Sequence, residues 1–310
     1  MPTRPIAFVL LALSLATPSP PAAAQPARPS ASWAATLAND VRVVPSVTYL
    51  TANNWAATLD VYTPASPGPH PTILHIHGGG WTGGSKESVV LRLMPYLEMG
   101  FAVVNVTYRL ARVSEAPAAV EDCRCALRWV IRNAKEYGFD VHRIIAMGYS
   151  AGGHLALTTG MLPASTDLDR QCPGIEALKV AAIVNWYGIA DVVDLLDGPN
   201  MRNYAVQWLG SRPDRNDVAR RLSPLTYVRR DLPPILTIHG DADPTVPYTH
   251  ATRLQAALAQ AGATSELVTI PDGKHGGFPA AQQMRAVDAV RAFLTKHGLM
   301  PKAAAGTAQP

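Results

Sequence analysis

One stretch restricts the possible folds of this chain more than any other: residues 144–157, IIAMGYSAGGHLAL. It joins an apolar run short enough for a buried strand, the pattern G-x-S-x-G, and a run of small residues that can begin a helix. A sharp turn from strand to helix needs glycine on both sides of its central residue, because the backbone segments approach closely there. The sequence therefore predicts a strand, a tight turn that exposes Ser150, and a helix, in that order.

The surroundings of Ser150 suit a nucleophile. The N–H of Ala151 and the first turn of the following helix would direct partial positive charge toward an oxyanion formed at the serine. The five-residue pattern alone is weak evidence in a chain with 23 glycines, and an idle serine in a glycine-rich turn is the alternative interpretation. The assignment therefore depends on whether the rest of the chain supplies a base and an acid.

Candidates for the base and the acid follow the last two predicted strands. Strand 235–239 leads into Asp241 and Asp243, and strand 267–270 leads into a glycine-flanked loop that carries His275. We assign Asp243 as the acid, because Asp241 lies so close to the strand end that capping the turn is its expected role. A catalytic serine needs a base and an orienting acid, and the chain order Ser, Asp, His is that of α/β-hydrolases.

A second glycine-rich segment, GGGW at 78–81, follows the predicted strand 72–77. Glycine backbone can turn its N–H groups inward without a Cβ in the way, which is the geometry that binds an oxyanion. A flexible loop is the alternative. We expect Trp81 and Tyr149, which flank the glycines and the serine, to wall a substrate pocket, with a place in the core as the alternative for both.

Apolar runs and helical periodicity alternate along most of the chain. This alternation predicts an α/β fold with a mostly parallel central sheet and helices on both faces, opened by an antiparallel pair at 43–49 and 59–63. Further strands are predicted at 72–77, 101–106, 144–149, 180–186, 235–239 and 267–270, and helices at 88–99, 118–137, 151–162, 249–261 and 279–297. Residues 187–234, before the acid-bearing strand, are too many for a plain connector, so we expect a cap-like insertion or pocket wall there.

The first 24 residues have the pattern of a secretory signal peptide. Arg4 supplies the positive start, residues 6–16 the apolar core, and residues 22–24 an A-x-A cleavage site. The apolar core is too short to span a bilayer, so an uncleaved anchor is disfavoured. We therefore predict residues 1–24 to be removed on export to the periplasm or the medium.

Three segments are predicted after the signal peptide. They are a flexible leader at 25–39, one hydrolase-like domain at 40–298, and a disordered, low-complexity tail at 299–310. With 48% hydrophobic and 16% charged residues the chain is not disordered overall, and its net charge of +4 is scattered. We therefore expect no nucleic-acid partner, no stable membrane anchor, no cofactor and no metal, and the sequence does not indicate an oligomeric state.

Three cysteines, an odd number, stand in a chain that we expect to be exported. Cys123 and Cys125 are two residues apart on a predicted helix, where their side chains face different sides. At most one of them is therefore expected to bond Cys172. Neither these cysteines nor the pair His75 and His77 has the further ligands that a metal site needs, so structural roles are expected for both histidines.

The motifs together carry a family resemblance. The pairing of HGGGW at 77–81 with GYSAGG at 148–153 resembles the hormone-sensitive-lipase-like branch of the α/β-hydrolases, over most of residues 40–298. Within that branch, the segment HGDADPTVP at 239–247 is similar to the bacterial feruloyl-esterase-like carboxylesterases. The chain departs from the lipase-like members at Tyr149, where they commonly have Asp, and in lacking their D-P-L-x-D acid motif.

The resemblance implies the α/β-hydrolase fold and a carboxylesterase that cleaves small ester substrates through an acyl-enzyme. It implies Ser150 as the nucleophile, His275 as the base and Asp243 as the acid. The oxyanion hole that it implies consists of three backbone N–H groups, those of Gly79, Gly80 and Ala151.

Other functions share these residues. An amidase or formamidase would use the same triad. A peptidase of the prolyl-oligopeptidase type would too, but usually with an additional propeller domain. A non-catalytic binding module of this fold would typically have lost a triad residue, and none is missing here. The esterase is therefore the favoured prediction, with the amidase and the peptidase as alternatives.

Overall fold

The computed structural model describes Ala35 and residues 37–302. The predicted signal peptide, most of the predicted leader and residues 303–310 of the predicted tail lie outside the described residues. Residues 37–39 are helical, and Leu37 packs against the core, so the prediction of a flexible leader is wrong for them. The predicted tail also starts too early, because Leu299 is buried and Arg143 donates a hydrogen bond of 3.2 Å to the carbonyl of Met300.

An eight-stranded sheet runs through the described part of the chain, in the order β1-β2-β4-β3-β5-β6-β7-β8. β1 is antiparallel to β2, β2 is antiparallel to β4, and the remaining neighbours are parallel. This confirms the antiparallel opening pair and the mostly parallel sheet. The strands are β1 (Val41–Ala52), β2 (Trp55–Pro64), β3 (His70–Ile76), β4 (Ala102–Val106), β5 (Phe139–Tyr149), β6 (Ala182–Trp186), β7 (Ile235–Gly240) and β8 (Ser265–Ile270).

The α-helices include all five that the sequence predicted, one of them interrupted, and two more within residues 187–234, where no helix was predicted. They are α1 (Val90–Glu98), α2 (Ala118–Arg132), α3 (Ala134–Tyr137), α4 (Ala151–Met161), α5 (Asn203–Leu209), α6 (Arg215–Leu222), α7 (Thr249–Gln260) and α8 (Ala280–Lys296). The helix predicted at 118–137 breaks at Asn133, whose backbone (φ −98°, ψ 11°) departs from helical values and whose side-chain amide donates a 2.8 Å hydrogen bond to the carbonyl of Trp129. Among the described residues, no helix is both long enough and apolar enough to cross a membrane.

The core has two layers, one on each face of the sheet. In β5, Ile145 and Ala146 point to opposite faces, as successive strand residues must. Ile145 lies in the layer that contains Leu93 of α1 and Phe293 of α8, whereas Ala146 lies with Leu155 of α4 and with residues of α2 and α7. This confirms that helices cover both faces. Because β5 to β8 are parallel, the carboxyl ends of β5, β7 and β8 lie at one edge of the sheet.

Residues 187–234 form short helices over that edge. Besides α5 and α6, the segment contains three turns of 3₁₀ helix, at Val193–Leu195, Gly198–Asn200 and Pro224–Tyr227. Arg202 and Tyr204 donate hydrogen bonds of 2.9 and 3.1 Å to the carbonyl of Thr245, in the loop after β7. The insertion is thereby fastened to the loop that carries Asp243.

The two cysteines of α2 have different surroundings. Cys125 faces β1 and β2 and is bonded to Cys172, with the two Cα atoms 5.6 Å apart. Cys123 lies in the opposite part of the helix surface, buried in the core as a free thiol. The structure thus identifies which cysteine of the pair bonds Cys172.

Candidate active site

Ser150 occupies a sharp turn between β5 and α4. Its backbone has φ 58° and ψ −122°, a conformation that L-residues rarely adopt. A Cβ on Gly148 would lie 2.2 Å from the carbonyl oxygen of Gly152, and a Cβ on Gly152 would lie 2.1 Å from that of Ile76. No side chain fits at either position, so the two glycines permit the turn that holds Ser150 at the mouth of a cavity.

The structure brings the three predicted triad residues together in one hydrogen-bonded chain. Nε2 of His275 lies 2.8 Å from Oγ of Ser150, and Nδ1 of His275 lies 2.7 Å from Oδ2 of Asp243. The three residues follow the carboxyl ends of β5, β7 and β8, which the parallel sheet places at the same edge. A proton can therefore pass from the hydroxyl to an imidazole that a carboxylate orients.

Asp243 is held as an ionised carboxylate. Its Oδ1 accepts backbone hydrogen bonds from Thr245 (2.8 Å) and Val246 (3.0 Å). Burial alone would raise its pKa, but hydrogen bonds from His239 and His275 outweigh burial and hold the pKa of the Asp243 carboxyl well below its usual range. A carboxylate that stays ionised can only accept from Nδ1 of His275, so it leaves Nε2 free to act as the base.

Asp241 has a different position. It is exposed, and its Oδ1 accepts a 2.7 Å hydrogen bond from the backbone N–H of Asp272, at the start of the loop that carries His275. The side chain that reaches the imidazole is that of Asp243. Asp241 therefore ties the two loops together, and its position agrees with the turn-capping role expected for it.

His239 contacts the acid, which the sequence did not indicate. Its Nε2 lies 3.0 Å from the carbonyl oxygen of Val246. The same Nε2 lies 3.2 Å from Oδ2 of Asp243. Because a carbonyl can only accept, Nε2 carries the proton and also points toward the carboxylate. The only sequence signal was its place four residues before Asp243, at the end of a strand.

The glycine segment 78–80 lies beside the serine and lines the same cavity. Within the described part of the chain, the N–H groups of Gly79 and Gly80 have no hydrogen-bond acceptor. Ala151 directly follows Ser150 as the first residue of α4. The segment therefore offers free donors next to the hydroxyl.

The cavity has a volume of about 550 Å³, and tyrosine side chains and glycine backbone form much of its wall. Its lining includes Tyr149, as predicted, and two tyrosines of the insertion, Tyr187 and Tyr204. The prediction for Trp81 is wrong. Its indole is fully buried, stacked on Trp208 with ring centroids 4.1 Å apart, because it turns away from the cavity and joins the core beneath the glycine segment. Adjacency in sequence to the glycines did not reveal which side of the backbone the indole would take.

Two further lining residues, Arg92 and Tyr187, were not singled out from the sequence. Nη1 of Arg92 donates a 2.8 Å hydrogen bond to the hydroxyl of Tyr187, and the guanidinium lies 4.7 Å from the centroid of the Tyr149 ring. The edge of Tyr187 also meets the ring of His275, with centroids 4.8 Å apart. The position of Tyr187 just after β6 was a usable signal, whereas Arg92 on α1 carried none.

The histidines outside the triad have structural surroundings. Nδ1 of His75 lies 3.0 Å from the side-chain oxygen of Asn105, and Nδ1 of His77 lies 2.7 Å from the carbonyl of Gly78. Burial lowers the pKa of both imidazoles to about 4, so both are neutral at pH 7. Across the residues that the structure describes, no group of three or more His, Cys, Asp or Glu side chains is arranged to hold a metal ion.

The sequence of the chain matches the model of one protein family and is similar to several known proteins. The family model BD-FAE matches residues 59–258, which include Ser150 and Asp243 and end before His275. The chain is 31% identical over 237 residues to the Mycobacterium tuberculosis protein named esterase LipQ, covering 72% of this chain and 55% of LipQ. The chain spans about half the length of the curated relatives it matches.

The chain also matches solved structures of the same fold over nearly the whole length of those structures. A truncated carbohydrate esterase from gut microbiota matches with a TM-score of 0.72 and 26% identity, over 83% of this chain and 96% of that one. Thermogutta terrifontis esterase 2, in a form phosphorylated by paraoxon, matches with a TM-score of 0.70 and 26% identity, over 84% of this chain and 95% of that one. These matches confirm the predicted α/β-hydrolase fold.

Proposed function

Since the chain belongs to the BD-FAE family, we propose that it is a serine carboxylesterase that hydrolyses small carboxylic esters through an acyl-enzyme. The observation that carries the proposal is the continuous hydrogen-bonded chain from Asp243 through His275 to Ser150, at the wall of a cavity large enough for a small ester. The names of the relatives support it, because they include LipQ and the two structurally similar proteins, all called esterases.

In the acylation step, Oγ of Ser150 attacks the carbonyl carbon of the ester. Nε2 of His275, 2.8 Å away, takes the hydroxyl proton as the new C–O bond forms. The π electrons of the carbonyl move onto its oxygen, which becomes an oxyanion. The imidazolium that results is stabilised by the ionised carboxylate of Asp243, which also keeps the ring in the reactive tautomer.

The oxyanion would be held by backbone N–H groups. The proposed donors of Gly79 and Gly80 have no acceptor among the described residues, and that of Ala151 lies at the N-terminus of α4, where the helix dipole favours negative charge. Removing one such donor typically costs about 3 kcal/mol of transition-state stabilisation. These groups need no rearrangement when the charge forms, which is the source of their effect.

The intermediate then collapses. The C–O bond to the alcohol breaks, and His275 returns its proton to the departing oxygen, leaving the acyl group on Ser150. A water molecule takes the place of the alcohol, loses a proton to His275 and attacks the acyl carbon. Release of the carboxylic acid restores the serine hydroxyl and the neutral imidazole, so the cycle consumes only ester and water.

We also propose that the protein is exported and that its mature form starts near Gln25. The signal-like pattern of residues 1–24 is the main support, and the bond between Cys125 and Cys172 suits an oxidising compartment. The intact mass of protein recovered from the periplasm or the medium tests this. A mass that includes Met1 in exported material would contradict it.

The esterase proposal is tested with para-nitrophenyl esters of increasing acyl length, each paired with the para-nitroanilide of the same acid. We expect short esters to be hydrolysed with a kcat/KM far above that of their anilides. Protein with Ser150→Ala, purified in the same way, controls for contaminating hydrolases. Anilides hydrolysed as fast as esters would show that the function is that of an amidase.

A further inference from the structure

The cavity beside Ser150 has an uneven distribution of charge. Of the described residues that line it, two are basic, Arg92 and His275, and none is acidic. Asp243 lies behind His275 and is almost fully buried, so its charge is directed at the imidazole and away from the cavity. Among the described residues that line the cavity, the guanidinium of Arg92 is therefore the only permanent charge.

The guanidinium of Arg92 has spare hydrogen-bonding capacity. It is held in place by the hydroxyl of Tyr187 and by the face of the Tyr149 ring. An arginine side chain has five N–H donors. Among the described residues, that of Arg92 makes one hydrogen bond, to Tyr187, so four donors remain for a ligand. No described carboxylate lies within 4.0 Å of it, whereas Arg109 is paired with Asp122 and Arg128 with Glu176.

Arg92 lies close enough to the triad to bind a second group of a substrate held at Ser150. Tyr187 lies between Arg92 and His275, since its hydroxyl accepts a hydrogen bond from Arg92 and its ring contacts the ring of His275. A ligand whose carbonyl lies at Ser150 would therefore meet the guanidinium only a few carbon atoms away. The planar fork of an arginine matches a carboxylate in two parallel hydrogen bonds.

On the basis of the esterase function proposed above, we propose that Arg92 binds a carboxylate on the substrate, so that the enzyme prefers esters that carry a negative charge a short distance from the scissile bond. Arg92 is then a specificity-determining residue, with Tyr149 and Tyr187 as the side chains that position it. The natural substrates belong to the class of acidic esters, such as half-esters of dicarboxylic acids.

The test compares two esters of equal chain length, the mono-para-nitrophenyl ester of adipic acid and para-nitrophenyl hexanoate. The wild-type protein should show a higher kcat/KM for the adipate than for the hexanoate, after subtraction of spontaneous hydrolysis. Arg92→Met, which keeps an unbranched apolar stem, should lower the ratio of adipate to hexanoate kcat/KM about ten-fold, the value of one charge-assisted hydrogen bond. Arg92→Lys should restore part of it.

The control is Arg291→Met, which removes an equal charge from an exposed position on α8 outside the cavity lining. It should leave the ratio as in the wild type. The preference should also weaken as salt is added, because Arg92 is an exposed residue and salt screens its charge. A second pair, para-carboxyphenyl and para-carbamoylphenyl butyrate, places the charge on the alcohol side and shows which half of the ester Arg92 contacts.

Three results would overturn the inference. A wild-type ratio that favours the uncharged ester in both pairs means that the cavity does not select anions. Equal losses on charged and neutral esters in Arg92→Met mean that Arg92 only supports Tyr187 and the fold. Unchanged kcat/KM values for both the charged and the neutral esters in Arg92→Met mean that the guanidinium does not contact the substrate. If the wild-type protein hydrolyses none of the four esters, the proposed esterase function fails, which is a separate outcome.

Discussion

Nε2 of His239 lies 3.2 Å from Oδ2 of Asp243, the same oxygen that accepts the Nδ1–H of His275. Two imidazoles therefore share one carboxylate oxygen, and the backbone N–H groups of Thr245 and Val246 bind the other. All four donors favour the ionised form of the acid, which would be costly to bury without them.

We expect His239→Leu to reduce stability more than catalysis. The variant removes one hydrogen bond to a buried charge and leaves the carbonyl of Val246 without a donor, at a cost of about 2 kcal/mol of unfolding free energy. Because Oδ1 remains fixed by two backbone groups, kcat should fall less than about ten-fold. Urea unfolding and steady-state kinetics measure the two effects. A loss of kcat as large as that of Asp243→Asn would contradict this division.

The two aspartates after β7 should have separate effects. Asp243→Asn should lower kcat by about 10⁴ with little change in KM, because the neutral amide favours the wrong tautomer of His275 and does not stabilise the imidazolium. Asp241→Ala serves as the matched control. It loses the hydrogen bond to the N–H of Asp272 and should cost about 1 kcal/mol of stability while keeping most activity. An inactive Asp241→Ala protein would exchange the two roles.

Stability should decrease as the pH falls from about 6.5 toward 4. Burial lowers the pKa of His75, His77 and His154 to about 4, whereas an unfolded histidine titrates near 6.5. Between these values the unfolded chain binds more protons, so each histidine removes about 1 to 2 kcal/mol of unfolding free energy by about pH 5. The lowered pKa of Asp243 also stabilises the folded protein. That stabilisation is lost only at lower pH, as the pH falls below the pKa of an ordinary carboxyl group.

The measurement is urea unfolding at several pH values between about 7 and 5. His154→Gln is the matched variant, because its amide can still donate to the carbonyl of Leu222 but does not titrate. Its unfolding free energy should fall less steeply with decreasing pH than that of the wild type. A stability that stays constant across this range would show that the three imidazoles are not held neutral.

The single disulfide should be the main covalent source of stability in the described part of the chain. The bond between Cys125 and Cys172 closes a loop with a sequence separation of 47. Replacing both with serine should lower the unfolding free energy by about 3 to 4 kcal/mol.

Thiol titration checks the pairing. The native protein should not react with a thiol reagent, because Cys123 is buried and burial raises the pKa of its thiol. Denatured, unreduced protein should show one thiol. Three free thiols under those conditions would mean that the bond does not form.

The extent to which the sequence predicted this molecule can be seen in particular residues. Ser150, Asp243 and His275 could be found because each follows a short apolar strand, and parallel strands align their carboxyl ends at one edge. The flanking glycines predicted the turn at Ser150 because only residues without a Cβ fit there.

Other residues could not be placed in this way. Trp81 is adjacent to the glycine segment but packs on Trp208, about 130 positions later, and no local pattern encodes such a contact. Arg92 and Tyr187 meet across the cavity from α1 and the end of β6 for the same reason. Local propensity and periodicity predict elements, whereas the direction of a side chain within the cavity depends on tertiary packing.

The most direct test of the account is the reaction of the protein with paraoxon, which phosphorylates the structurally similar Thermogutta terrifontis esterase 2. The hydroxyl of Ser150, with its base 2.8 Å away, should displace para-nitrophenol and take up one diethylphosphoryl group per chain, with loss of ester turnover in step. Mass spectrometry of peptides should place the group on Ser150, and Ser150→Ala should neither be labelled nor hydrolyse esters. Labelling at another residue, or full turnover by Ser150→Ala, would contradict the assignment of Ser150 as the nucleophile.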